Sequence, residues 1–139
     1  MNNYQVNRAG THYVLAEIYR KGGKIASFNG NEIVAKNADR TMGIRVKART
    51  SGTWQAQITQ EQQRDEEETS FWILVDLIPE IPAYYVMPES WIQNNIHDVH
   101  AAYLERQGGE RAESPDSTHH AISLERVAQW KDRWDLLGI

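Results

Sequence analysis

The sequence contains no cysteine. That excludes a disulfide framework, thiolate metal ligands and a thiol nucleophile, and it agrees with a reducing compartment. No apolar run approaches the roughly 20 residues that cross a bilayer. The opening stretch Met1-Asn2-Asn3-Tyr4-Gln5-Val6-Asn7-Arg8 has none of the apolar core of a secretory signal. The expectation from these absences is a cytoplasmic protein without a membrane partner. An excess of positive charge is missing as well, since 15 Lys and Arg stand against 19 Asp and Glu for a formal net charge of −4. Any contact with a phosphate backbone must then come from a local basic patch. No internal repeat is visible.

What is present suits one folded unit. A length of 139 residues is that of one domain, taken as 1–139, and a hydrophobic share of 40% with five Trp, six Tyr and two Phe supplies a real core. Between Gly10 and Gly22, Thr11, Val14, Leu15 and Ile18 keep the i, i+3, i+4, i+7 spacing of a helix packed on one face. Asn29-Gly30 separates residues 24–28 from 31–36, the signature of a hairpin with a type I′ turn. A second turn near Asp39 leads into 42–48, where Ile44, Val46 and Ala48 alternate with Gly43, Arg45 and Lys47 as in a strand with one polar face.

A short strand is expected near 53–57 and an exposed acidic loop over 61–69. Residues 71–77, Phe-Trp-Ile-Leu-Val-Asp-Leu, read as a central strand covered on both faces, with 83–87 as its neighbour. Pro88 then opens a helix to about Arg106, with Ser90 and Gln93 at capping-box spacing and Trp91, Ile96, Val99 and Tyr103 along it. Residues 108–119 lack apolar anchors and read as a mobile surface loop. A closing helix over 123–137 carries Leu124, Val127, Trp130 and Trp134 as its apolar stripe. The fold class is α/β (α+β): a central mixed sheet of about five to six strands flanked by helices.

The turn near Asp39 places Glu32 opposite the 45–47 region, where Arg45 and Lys47 share a face. Glu17, at the edge of the first helix's stripe, completes a pair of carboxylates beside a lysine. Two carboxylates hold Mg²⁺ through oxygen and an adjacent lysine orients a water for attack on phosphorus. The plainer alternative is a cross-strand ion pair of Glu32 with Arg45 or Lys47. Arg45, Lys47 and Arg49 with Trp54 form a second candidate, cations for a phosphate backbone and an indole for a stacked base, against a solvated strand edge with a core Trp. His97 and His100 with His119 and His120 are weighed as metal ligands against helix-surface histidines. The run Asp65-Glu66-Glu67-Glu68 reads as a solvated loop before a docking surface for a basic partner, and Asp76 as a structural hydrogen-bonding acid.

The order Gly10, Ala16-Glu17-Ile18, Gly22, Glu32-Ile33-Val34-Ala35, Ile44-Arg45-Val46-Lys47, Trp72 to Leu77, Tyr85-Val86-Met87-Pro88 and Trp134-Asp135-Leu136-Leu137 resembles the small PD-(D/E)XK restriction-endonuclease-like proteins over nearly the whole chain. That resemblance implies a restriction-endonuclease-like sheet, a metal-dependent phosphodiesterase ancestry, Glu17 and Glu32 as metal ligands, and Glu17, Glu32 and Lys47 as the catalytic set. Glu32 stands where the family has Asp, and Arg45 where it has Glu or Gln. A guanidinium cannot ligate Mg²⁺ and repels it, so the expected metal site is degraded, with weak or absent Mg²⁺ binding and cleavage. The expected function is nucleic-acid association through Arg45, Arg49 and Trp54. An active Mg²⁺-dependent endonuclease and a dimeric protein-interaction module are the alternatives.

Overall fold

The computed structural model describes residues 1–57, 68–106 and 119–139. Helix α1 (Asn3–Arg20) begins a full two turns before Gly10, because Asn2 and Gln5 close a capping box: the Asn2 side chain accepts the Gln5 N–H and the Gln5 side chain accepts the Asn2 N–H, both at 2.9 Å. Strands β1 (Lys24–Asn29), β2 (Glu32–Asn37) and β3 (Arg40–Arg49) follow as an antiparallel meander. In the first hairpin Asn29 pairs with Glu32, so the turn residues are Gly30 and Asn31. Positive φ is confined to Gly30 there, which departs from the expected type I′ turn, where both residues are left-handed.

Strand β4 (Trp54–Gln57) leaves the main sheet, β5 (Ser70–Asp76) returns parallel to β3, and β6 (Ala83–Pro88) pairs antiparallel to β5. The result is an α+β fold built on a five-stranded mixed sheet, order β1-β2-β3-β5-β6, flanked by helices. Helix α2 (Glu89–Arg106) starts directly after Pro88, so Ser90 is already inside the helix and Gln93 turns instead to Glu89. Strand β7 (His119–Ile122) pairs with β4 to form a separate two-stranded sheet. It takes up residues read as loop and polypeptide leading to the last helix. The remainder of that expected loop, and most of the acidic segment 61–69, lie outside the described residues.

The two faces of the main sheet carry two cores. On the first face α1 lays Val14, Leu15 and Ile18 against Ile33, Ala35, Met42, Ile44, Val46, Phe71, Ile73 and Val75. Gly10 is required there, because a Cβ on it would sit 2.6 Å from the Ala48 Cβ. On the second face Trp72, Leu74, Tyr85 and Met87 meet Ile92 and Ile96 of α2 and Trp54, Ala56 and Ile122 of the small sheet. Such alternation of residues between two faces is the period-two geometry of strands.

The expected closing helix over 123–137 is broken. A four-residue helix α3 (Leu124–Val127) gives way to a 3-10 turn at Ala128–Trp130, an extended Lys131, a left-handed Asp132 (φ 54°) and a second 3-10 turn at Trp134–Leu137. The break lets the chain pass round the edge of the sheet: Lys131 bridges to Tyr85, and the Asp132 N–H donates to Tyr84 O at 2.9 Å. Val127 therefore packs in the second core and Trp134 with Leu137 in the first. The tail is then held by Asn37, whose amide donates to Gly138 O at 2.7 Å, and by Arg40, which donates to Leu136 O at 2.8 Å. Among the described residues no helix is long and apolar enough to cross a membrane.

Candidate nucleic-acid interface

Because α1 covers one face of β1–β3 and α2 covers only the β5–β6 half of the other, the second face of β1, β2 and β3 up to Arg45 carries no packed element among the described residues, while β4 covers the end of β3 at Arg49. Its residues follow from the register. Lys24 pairs with Lys36, Ser27 with Val34 and Asn29 with Glu32, while on β3 Thr41, Gly43 and Arg45 stand opposite Lys36, Val34 and Glu32. Val34 is exposed and a Cβ on Gly43 would meet nothing within 4 Å, so the middle of the shelf is low and open. Lys47, two residues beyond Arg45, closes the row with its ammonium 5.5 Å from the Trp72 ring centroid. From the level of Lys36 to Lys47 the row runs roughly 20 Å along β3 at the rise of an extended strand.

The predicted meeting of Glu32 with Arg45 is present: Arg45 Nη2 donates to Glu32 Oε1 at 2.8 Å, with the two side chains 43% and 60% exposed. Lys24, Lys36 and Lys47 have no ion-pair partner among the described residues. Burial, and secondarily the Arg45 guanidinium, lower the Lys47 ammonium below its usual range. A pocket of about 190 Å³ opens beside the ion pair, lined by Glu32, Val34, Gly43, Arg45, Ser70 and Glu89 among others. Glu89 was not among the residues singled out in the sequence. Its carboxylate accepts from Trp72 Nε1 at 3.2 Å and from Gln93 at 3.4 Å. An acid in the first turn of a helix next to Pro88 was the available signal.

Glu17 does not join this group. It sits on α1, across the sheet, pairs with Arg20 at 3.5 Å, and contributes with burial to pushing the Tyr84 phenol up to about 12. The spacing of a helix stripe tells that the helix packs, but not on which face of the sheet, and the other face was taken. Glu17 and Glu32 therefore do not form a carboxylate pair, and one oxygen of Glu32, Oε1, already accepts from the Arg45 guanidinium. The residues present do not fit the Mg²⁺ site that the resemblance implies. Among the described residues no group of three or more His, Asp or Glu is placed to hold a metal. His97 lies 3.2 Å from the Asp98 carboxylate, and His100 stacks on Tyr103.

Arg49 and Trp54 also leave the expected patch. Trp54 is 1% exposed, with its indole N–H donated to Val75 O at 3.0 Å, and has no face for a base to stack on. Arg49 lies over that indole, 4.3 Å from the ring centroid, and its Nη2 donates to Asp76 Oδ2 at 2.8 Å with both side chains nearly buried. Asp76 takes the structural part expected of it, with its other oxygen accepting the Ile78 N–H at 3.1 Å. The strand edge carrying Trp54 is closed by β7, more than 60 residues away in the chain, which no local pattern announces.

The open face thus brings Arg45 and Lys47 of the expected set together with Lys24 and Lys36, while Glu17 lies across the sheet, Trp54 is buried and Arg49 nearly so. No family model matches the chain, and no curated protein or solved structure matches it.

Proposed function

We propose that this protein binds nucleic acid without cleaving it, through the uncovered face of β1–β3, and that it works in the cytoplasm. The observation that carries the reading is a concentration of charge: on a chain of net charge −4, the strands of that face present Lys24, Lys36, Arg45 and Lys47 against the one strand carboxylate of Glu32, with Glu89 of α2 at the border. Ammonium and guanidinium groups on a flat, solvent-open strip bind phosphates by Coulomb attraction and counterion release, without needing base contacts. Among the described residues the shelf exposes no aromatic ring, so the contact is to backbone rather than to stacked bases. The resemblance to restriction-endonuclease-like proteins supports the same partner, and the Arg45–Glu32 pair supports the loss of metal-dependent cleavage.

Fluorescence anisotropy with labelled oligonucleotides tests the proposal. Binding should be seen at about 50 mM salt and weaken steeply by about 200 mM, and Lys36→Ala should reduce the salt slope by about one. Absence of binding at low salt would end it. Cleavage in Mg²⁺ or Mn²⁺ that is lost in Lys47→Ala would instead favour an active endonuclease. A second reading, a homodimerising interaction module, is favoured by the exposed Tyr4, Tyr13 and Tyr19 of α1 and Phe28 of the edge strand β1. A concentration-dependent dimer with no nucleic-acid affinity would select it.

A further inference from the structure

The last residues of β3 run past the end of β2 and border a second pocket of about 190 Å³, lined by Asn3, Val6 and Asn7 of α1 and by Lys47, Ala48, Arg49, Thr50, Ser51, Thr53 and Gln55. Among the described residues no carboxylate lines it. Two of its hydrogen-bonding groups are left with protons to give. Asn7 uses its amide oxygen to accept the Ala48 N–H at 3.0 Å, which leaves its NH₂ as donor. Thr53 accepts from Gln55 Nε2 at 3.0 Å through its hydroxyl oxygen, which leaves the hydroxyl proton. Arg49 is engaged through Nη2 with Asp76 and through Nη1 with Gly52 O, while its Nε is buried without a partner on a side chain only 10% exposed. Lys47 brings a half-buried ammonium with no ion-pair partner among the described residues, and the first turn of α1 adds the positive end of an 18-residue helix.

A concave site with amide and hydroxyl donors, a helix N-terminus and a lysine that has no ion-pair partner among the described residues is complementary to an oxyanion. We infer that this pocket binds a single phosphate monoester group, with Lys47 supplying the charge and Asn7, Thr53 and the neighbouring hydroxyls the hydrogen bonds. The site adjoins the basic shelf through Lys47 but does not depend on the shelf binding nucleic acid.

Two sources offer that chemistry, the terminal phosphate of a nucleic-acid strand and a free phosphorylated small molecule. Inorganic phosphate titrated into the ¹⁵N-labelled full chain at constant ionic strength tests the pocket itself. Saturable shifts of the amides of residues 50–55, with affinity lowered about tenfold or more in Lys47→Gln and again in Thr53→Val, are expected. Both variants should keep the wild-type dispersion of signals. Shifts that stay linear, that sodium chloride reproduces, or that neither substitution changes would overturn the inference. Lys24→Gln with Lys36→Gln should leave this titration unaltered, so a shelf that fails to bind nucleic acid and a pocket that fails to bind phosphate are read separately. A strand with a 5′-phosphate binding about fivefold or more tighter than its 5′-hydroxyl counterpart assigns the group to a nucleic-acid end. Equal affinity of the two strands, with saturable binding of a nucleoside monophosphate, assigns it to a small molecule.

Discussion

Strand β3 carries two arginine–carboxylate pairs four residues apart, each with a nitrogen 2.8 Å from an oxygen, and they do different things. Arg49–Asp76 locks β3 to β5 at the far end of their parallel register, with Trp54 against the guanidinium and both side chains withdrawn from water. Arg45–Glu32 joins β3 to β2 on the open shelf, where water competes for both charges. Equal geometry conceals unequal energetics, because removing one partner of a buried pair strands the other without solvent, whereas an exposed charge simply rehydrates. Asp76→Ala should therefore cost about 3–5 kcal/mol in urea unfolding. Glu32→Ala should cost less than about 1 kcal/mol. Similar losses in the two variants would mean that the shelf is covered in solution and that its availability to phosphate has been misjudged.

The two faces of the sheet allow the same comparison with glycines. Gly10 is pressed against Ala48 under α1, and Gly43 stands open on the shelf. Gly10→Ala forces a methyl into a filled contact and should cost about 1–3 kcal/mol. Gly43→Ala meets no atom within 4 Å and should be neutral or stabilising by under about 1 kcal/mol, since it removes strand-destabilising backbone freedom. Thermal unfolding of the pair sharpens the contrast, and a destabilised Gly43→Ala would place something over the shelf.

Much of this was legible in the sequence where the determinants are local. The short turns around Gly30 and Asp39 set the registers of β1–β3, and a two-residue turn after Asn37 is enough to bring Glu32 opposite Arg45. The unbroken apolar run of β5 announced its burial on both faces. Illegible features depend on contacts distant in the chain. The spacing of Leu124, Val127, Trp130 and Trp134 is equally that of one helix and of a chain that turns at Asp132 to place Val127 and Trp134 on opposite faces of the sheet. Arg49 and Trp54 look like surface residues until Asp76 and β7 close over them. Glu17 is correctly a helix residue, but the choice of face is made by the whole sheet.

Lys47 tests where the shelf begins to behave as interior. Its ammonium is lowered from the usual lysine value of 10.5 by burial first and by Arg45 second. A lysine whose folded value lies below its unfolded one binds its proton less well when folded. It therefore weakens the fold fully at pH below the folded value and ceases to do so as pH rises toward 10.5. Lys47→Met should be more stable than wild type near neutrality, by less than about 1 kcal/mol given the remaining exposure and the lost contact with Trp72. That advantage should shrink as the pH is raised in parallel urea titrations. An advantage independent of pH would assign the gain to packing over Trp72 instead of to the charge.

The smallest expected change in stability accompanies the most informative change in binding. Glu32→Gln keeps the length and a hydrogen-bonding oxygen for Arg45 but removes the one negative charge on the strands of the shelf. Unfolding free energy should move by less than about 1 kcal/mol. Affinity for nucleic acid should rise about three- to tenfold at low salt, because Arg45 no longer has to leave a carboxylate to meet a phosphate and the local potential becomes more positive. The opposite result, affinity lost with stability intact, would assign Glu32 the task of holding Arg45 in its binding orientation. The ion pair would then be a component of the interface and not its competitor, and the exposed pair, like the buried one, would owe its place on β3 to geometry.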